Sequence, residues 1–287
     1  MAGTSTQGGG NLVLIAGAGR LPELVADSLE RAGKPFRMIA LRGFTVRALR
    51  GRADAVVDLL DLSATLGLLS NWGPAIVVPA GSVARPSAAA IFNAGAAWRN
   101  REALREIAAG GDDRLLRAAL GLVEENGHRV LGVHEVAPDL LCPEGPLGLV
   151  KADGEAVASI RTGRTVLDAL APFDVGQAVA VAGDRVLAVE GPEGTDKMLA
   201  RARTLGRKPF GRGRPNAGTV LVKAPKIGQD LRIDLPTVGP RTIRNAHAAG
   251  CAGLALRAGS TLVIDRAATA AEADRLGLFV IGFGDSP

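Results

Sequence analysis

The sequence predicts an α/β protein of two domains: an N-terminal Rossmann-like unit on a parallel sheet, then a C-terminal mixed α/β unit. Three observations carry this. Short apolar runs alternate with helical patterns through the first third of the chain. A stretch rich in proline and glycine then interrupts the middle. Beyond it, apolar runs flank a tight-turn signal, which points to antiparallel pairing. The chain has 287 residues, room for two domains of ordinary size.

The first element is Leu12-Val13-Leu14-Ile15-Ala16, a continuous apolar run suited to a strand buried on both faces. Gly17, Gly19 and Leu21-Pro22-Glu23 open a helical pattern through Leu24, Val25 and Leu29 that ends at Gly33. Strands are predicted at Phe36–Leu41 and Ala75–Val78, with a helix-compatible stretch from Leu59 to Leu69 between them. Glu102 to Glu125 reads as one or two amphipathic helices broken near Gly110-Gly111. The N-terminal domain is expected to cover 1–132.

His134 to Leu149 holds Pro138, Pro143 and Pro146 with Gly145 and Gly148. Prolines so close together cannot continue a helix or a central strand. The expectation is a linker or an ordered crossing between domains over 133–155 and a C-terminal domain over 156–287, with shorter elements. Ala178–Val181 and Val186–Val189 flank Ala182-Gly183-Asp184-Arg185, a hairpin signal. Thr219–Val222 and Leu231–Leu235 read as strands. Helices are expected at Asp196–Thr204, Arg241–Ala249 and Ala268–Leu276.

Composition excludes several function classes. Only two cysteines, Cys142 and Cys251, and three histidines are present, so neither a disulfide scaffold nor a Cys/His zinc cage is expected. Tyrosine is absent and aromatics are 3% of residues, which argues against a stacking surface for single-stranded nucleic acid. No apolar run reaches the roughly 18 to 20 residues of a membrane-spanning helix. The first residues, Met1 to Asn11, lack the basic and apolar regions of a signal peptide and read as a flexible tail. A net charge of +5 suits acidic partners: phosphorylated small molecules, anionic lipid headgroups or nucleic acid.

Gly17-Ala18-Gly19-Arg20-Leu21-Pro22 carries two glycines of a dinucleotide fingerprint, but Pro22 stands where the third belongs. Gly17 and Gly19 are candidate phosphate contacts; a tight strand-to-helix turn explains them equally. Arg42, after the second strand, could hold a 2′-phosphate, which keeps an NADP-linked oxidoreductase as an alternative. Ser82 and Arg85 follow the third strand, where ligands of parallel sheets sit. A loop with a serine cap is the plain alternative.

The sharpest charge feature lies in the second half. No acid occurs between Asp196 and Asp230, while Lys197, Arg201, Arg203, Arg207, Lys208, Arg212, Arg214, Lys223 and Lys226 do. One-sided charge favours an anionic partner over a solvated face, and a non-catalytic RNA-binding or regulatory module is one alternative. Glu190, Glu193 and Asp196 precede the run; Asp230 and Asp234 follow it. On a strand, Asp230 and Asp234 would lie roughly 13 Å apart, too far to share one magnesium ion. Asp230 with Asp196 or Glu193 is therefore the candidate metal set. Cations clamping phosphates beside acids that hold Mg2+ suit phosphoryl hydrolysis.

The motifs Leu14 to Pro22, His134-Glu135-Val136, Cys142-Pro143-Glu144-Gly145-Pro146-Leu147, Asp174-Val175-Gly176-Gln177-Ala178, Glu193-Gly194-Thr195-Asp196 and Lys223 to Pro236 span nearly the whole chain. Together they resemble the UDP-2,3-diacylglucosamine pyrophosphatases of the LpxI type; the last two motifs are the most specific. The resemblance implies a magnesium-dependent enzyme of lipid A synthesis on the cytoplasmic side of the inner membrane. It would hydrolyse UDP-2,3-diacylglucosamine to 2,3-diacylglucosamine 1-phosphate (lipid X) and UMP, with two domains around a ligand chamber and a homodimeric assembly. Asp230, Lys223 and Lys226 are the expected catalytic residues. Gly17, Gly19, Ser82, Arg85, Gln177, Thr195 and Gln229 are the expected substrate contacts.

Overall fold

A computed structural model describes residues 11–83, 112–173, 175–205 and 218–284. The chain divides into two compact units, 1–137 and 138–287. Arg85 and the loop Gly211–Pro215 fall outside the described residues, as do Arg207 and Lys208. So does the first part of the helical stretch expected from Glu102; its described part is the helix Asp112–Glu125.

The N-terminal unit is a five-stranded sheet in the order β3-β2-β1-β4-β5. Its strands are β1 (Asn11–Ala16), β2 (Phe36–Leu41), β3 (Ala55–Val57), β4 (Ala75–Ala80) and β5 (Arg129–Val130). All four pairings are parallel. Val13 and Leu14 on β1, Ile39 on β2 and Val77 and Val78 on β4 are fully buried. That is why these strands read as continuous apolar runs rather than alternating ones. The helix Leu21–Arg31 buries Val25, Ala26 and Leu29, one stripe at helical spacing.

The C-terminal unit carries a six-stranded mixed sheet in the order β6-β13-β11-β9-β7-β8. Its strands are β6 (Gly145–Pro146), β7 (Ala178–Ala182), β8 (Arg185–Val189), β9 (Thr219–Lys223), β11 (Cys251–Arg257) and β13 (Phe279–Phe283). β10 (Thr237–Val238) and β12 (Leu262–Val263) form a separate parallel pair. β9, β11 and β13 run parallel, and antiparallel strands flank them. Helix Gly154–Leu170 covers one face, packing Ala156, Ile160 and Leu167 on Val179, Val181, Val220 and Val222. Helices Thr195–Leu205, Pro240–Ala248 and Arg266–Leu276 belong to the other face. There Met198, Leu199, Ile243 and Ala273 share a core with Ala178, Ala180, Leu221 and Leu254.

Two expectations are overturned. The stretch 133–155 is not a linker. Gly145–Pro146 pairs with β13 as an edge strand, a position that proline tolerates. Arg266 ties the preceding turn down by donating to the carbonyls of Asp139 and Leu141. The helix Val133–Val136 belongs to the N-terminal unit, so the division falls after Ala137.

Leu231–Leu235 is not a strand. Residues 231–233 form a turn in which the Asp230 carbonyl accepts from the N–H groups of Ile233 and Asp234. The Asp230 side chain also accepts from the Arg232 N–H at 3.1 Å, the local bonding by which aspartate competes with extended structure.

Candidate active site

The β9 strand is buried along its whole length. Its side chains alternate between faces, so Lys223 lies on the side of Leu221, beneath the helix Thr195–Leu205. Lys223 pairs with Ala178, the first residue of the antiparallel β7. Val189, the last residue of β8, pairs with Val179. The carboxyl ends of β9 and β8 and the start of β7 therefore meet at one sheet edge. Gln177, Glu190 and Lys223 are brought together there. Ligands of parallel sheets sit beyond such ends.

Lys223 is only 7% exposed, and its ammonium donates to Thr195 Oγ1 at 2.8 Å. Burial pushes its pKa below the ordinary lysine value, while Glu190, then Asp234, then Asp196 pull it back up. Thr195 opens its helix and donates its own hydroxyl to Glu190 Oε1 at 2.6 Å. The other Glu190 oxygen accepts the Gln177 N–H at 2.9 Å. Gln177 donates its side-chain amide to Asp234 Oδ2 at 2.5 Å, and Gln229 donates to the same oxygen at 2.6 Å. Gln229 in turn clamps the loop by accepting the Lys226 N–H at 2.9 Å.

The sequence candidates thus fall into groups. Lys223, Thr195, Gln177, Gln229 and Asp234 form one bonded cluster. Lys226 meets it through its backbone. Asp230 stands on the same turn, but Arg232 grips its carboxylate with two donors, at 2.9 and 2.8 Å. Asp196 accepts from Asn245 and pairs with Arg241 at 2.7 Å. Glu193 pairs with Arg201 at 2.7 Å.

The turn corrects the spacing argument for the two aspartates. The Asp234 N–H reaches the Asp230 carbonyl at 3.3 Å, so the two residues meet across one turn rather than standing at the ends of a strand roughly 13 Å long. Glu190 is the residue whose place sequence reasoning missed: it is 8% exposed and sits at the centre of the network. An acid directly after a short apolar run carries no signal of burial.

These acids fit one kind of magnesium site only. Among the described residues, no three His, Cys, Asp or Glu side chains gather to hold a metal ion. Asp230, Asp196 and Glu193 each face a different arginine. Magnesium commonly takes one or two carboxylates and completes its octahedron with water and substrate phosphates. The acids suit such a shared cation, not a closed protein cage.

In the N-terminal unit, Gly17, Gly19 and Ser82 lie at the carboxyl ends of β1 and β4, where the strand order reverses direction. The two loops touch: the N–H of Ala18 donates to the Ser82 carbonyl at 2.7 Å, and Ser82 donates back to Ala18 at 3.1 Å. A Cβ on Gly17 would stand 2.8 Å from the Ser82 carbonyl oxygen, so glycine is required by the loop approach alone. Pro22 sits in the first turn of its helix, a position with no intrahelical N–H to lose. Arg42, the residue offered for a 2′-phosphate, pairs with Asp58 at 3.1 Å.

Residues 11–140 match the family model of the LpxI N-terminal domain, and residues 143–281 match that of the LpxI C-terminal domain. The chain is also 40% identical over 271 residues to a Caulobacter vibrioides protein named UDP-2,3-diacylglucosamine pyrophosphatase LpxI; the match covers 94% of this chain and 96% of the relative. The specific C-terminal motifs that build the Lys223 cluster lie inside these matches, and the chain belongs to the LpxI family.

Proposed function

We propose that this protein hydrolyses the diphosphate of UDP-2,3-diacylglucosamine, giving 2,3-diacylglucosamine 1-phosphate (lipid X) and UMP, as a step of lipid A synthesis. The name of the Caulobacter relative supports the substrate. The observation that carries the reading is the buried Lys223 among Glu190, Asp234 and Asp196, at the carboxyl edge of a parallel strand. A diphosphate under attack gains charge on its leaving phosphate, and a fixed cation stabilises that charge. The start of the helix Thr195–Leu205 adds backbone donors that favour an anion at the same place.

Water attack needs an acceptor for its proton. Asp230 is the proposed catalytic carboxylate, oriented by Arg232, either accepting that proton or holding the cation, with Asp234 on the same turn. Magnesium would be held by Asp230 and the substrate's own phosphate oxygens, and would supply charge neutralisation. Lys226 would add a second cation on the loop. A homodimer is part of the same proposal; sedimentation at the monomer mass under assay conditions would refute it.

The experiment is direct. Purified protein with magnesium and UDP-2,3-diacylglucosamine should release UMP, and EDTA should abolish release. No UMP with magnesium present would overturn the reaction, and full activity in EDTA would overturn the cation.

A further inference from the structure

Glu190 is a buried acid that no motif or role so far explains. Its two oxygens have different tasks. One accepts a backbone N–H from Gln177, at 2.9 Å, which fixes the carboxylate to the start of β7. The other accepts the Thr195 hydroxyl at 2.6 Å. A threonine hydroxyl has one hydrogen to give. Because it goes to Glu190, a lone pair of the same oxygen faces the Lys223 ammonium, which donates to it at 2.8 Å. The chain also makes room for this acid. A Cβ on Gly176 would lie 2.5 Å from the Glu190 carbonyl oxygen and 2.6 Å from its Cβ and Cγ. Any larger residue at 176 would push Glu190 away from Thr195.

We propose that Glu190 is a positioning residue: acting through Thr195, it fixes the Lys223 ammonium at the carboxyl edge of β9, where a substrate diphosphate meets it. This rests on the diphosphate hydrolysis proposed above. The charges facing Lys223 are Glu190 from the end of β8, Asp234 from the turn after β9 and Asp196 from the first turn of the helix above. Burial lowers the lysine pKa and these acids oppose the fall, Glu190 most. An active ammonium is lost as pH rises through that depressed pKa. Removing Glu190 depresses it further, so the alkaline limb of the activity profile must move to lower pH.

The test compares Glu190→Gln and Thr195→Val with the wild-type protein, each checked for an unchanged circular dichroism spectrum. Glu190→Gln should lower kcat by tenfold or more near pH 8, with a smaller change in KM. Its alkaline limb should shift down by about one pH unit or more, the scale for losing an adjacent opposite charge. Thr195→Val keeps all three acids but breaks the link, and should lower kcat in the same way with a smaller shift. Glu190→Asp should restore part of the loss.

A second readout does not need turnover: the Lys223 side chain, followed by NMR after selective isotope labelling, should titrate at lower pH in Glu190→Gln. Unchanged kcat and alkaline limb in both folded variants would overturn the role. If the wild-type protein itself releases no UMP, the reaction fails. The Lys223 titration then decides the positioning alone, and an unmoved value in Glu190→Gln sinks it. Should Glu190→Gln not fold, Thr195→Val decides.

Discussion

Asp230 and Asp234 differ in what holds them, and that difference makes them separable by mutation. Arg232 fixes Asp230 by two donors, whereas Asp234 Oδ2 takes the amides of Gln177 and Gln229. Asp230→Ala should cut kcat by about 10² or more, the scale of a lost acid–base group, with the fold intact. The strand reading would make Asp234→Ala the milder of the two changes. The turn instead places Asp234 beside Lys223 and Asp230, so Asp234→Ala should also cut kcat, by about tenfold or more. Steady-state kinetics with melting curves would decide. Near wild-type turnover in Asp230→Ala sinks its catalytic role, and near wild-type turnover in Asp234→Ala sinks the shared site.

At the scale of elements, the helix Gly154–Leu170 shows what the sequence concealed. It is 17 residues long and was not expected. Its buried stripe is Ala156, Ser159, Ile160, Gly163 and Leu167, too small and polar to register as an apolar face. The signal that was present is Asp153, whose side chain accepts the Ala156 N–H at 2.8 Å as an N-cap. Gly163 has a packing reason. A Cβ there would meet Val222 Cγ2 at 2.4 Å and Val222 Cβ at 2.8 Å. Gly163→Ala should gain about 1 kcal/mol of helix propensity and lose about 1–3 kcal/mol to overpacking. Val222 is β-branched, fully buried and in a central strand, so it cannot turn aside. The net result should be a lower denaturation midpoint; a rise would show that helix and sheet can separate freely.

The legible elements share a cause. The parallel strands of the N-terminal unit and the β7–β8 hairpin around Gly183, at φ 64°, advertise themselves through continuous burial or turn chemistry. Leu231–Leu235 mimicked a strand by alternating, but local bonds from Asp230 won. The site was visible as residue types, since Lys223, Thr195, Gln177 and Gln229 all drew notice. Glu190 was visible only as an acid before the basic run; its place in the site was not, because its burial depends on partners brought from β7 and from the helix after it.

At the scale of the whole molecule, charge is the property that sequence and structure both speak to. The chain carries 34 Lys and Arg against 29 Asp and Glu. Among the described residues no helix is long and apolar enough to cross a membrane. The diacyl substrate proposed above would reside in a bilayer, so the proposed reaction calls for contact with that surface by another route. Three large apolar side chains stand far out of the C-terminal unit: Leu149 at 85% exposure, Phe173 at 73% and Ile227 at 70%. Phe173 lies on the segment before β7 and Ile227 on the loop after β9, two segments joined where the Ala224 N–H donates to the Gln177 carbonyl at 3.0 Å. Lys226 adjoins Ile227. Each basic residue near an anionic surface contributes about 1 kcal/mol, and screening acts over about 8 Å at physiological salt. The protein should therefore co-sediment with phosphatidylglycerol-containing vesicles at low salt and leave them as salt rises. Phe173→Ser with Ile227→Ser should weaken that binding even at low salt, while UMP release from a short-chain, water-dispersed substrate stays within about twofold. Equal partition onto neutral and anionic vesicles would remove the electrostatic part, and unchanged binding in the double variant would remove the apolar part.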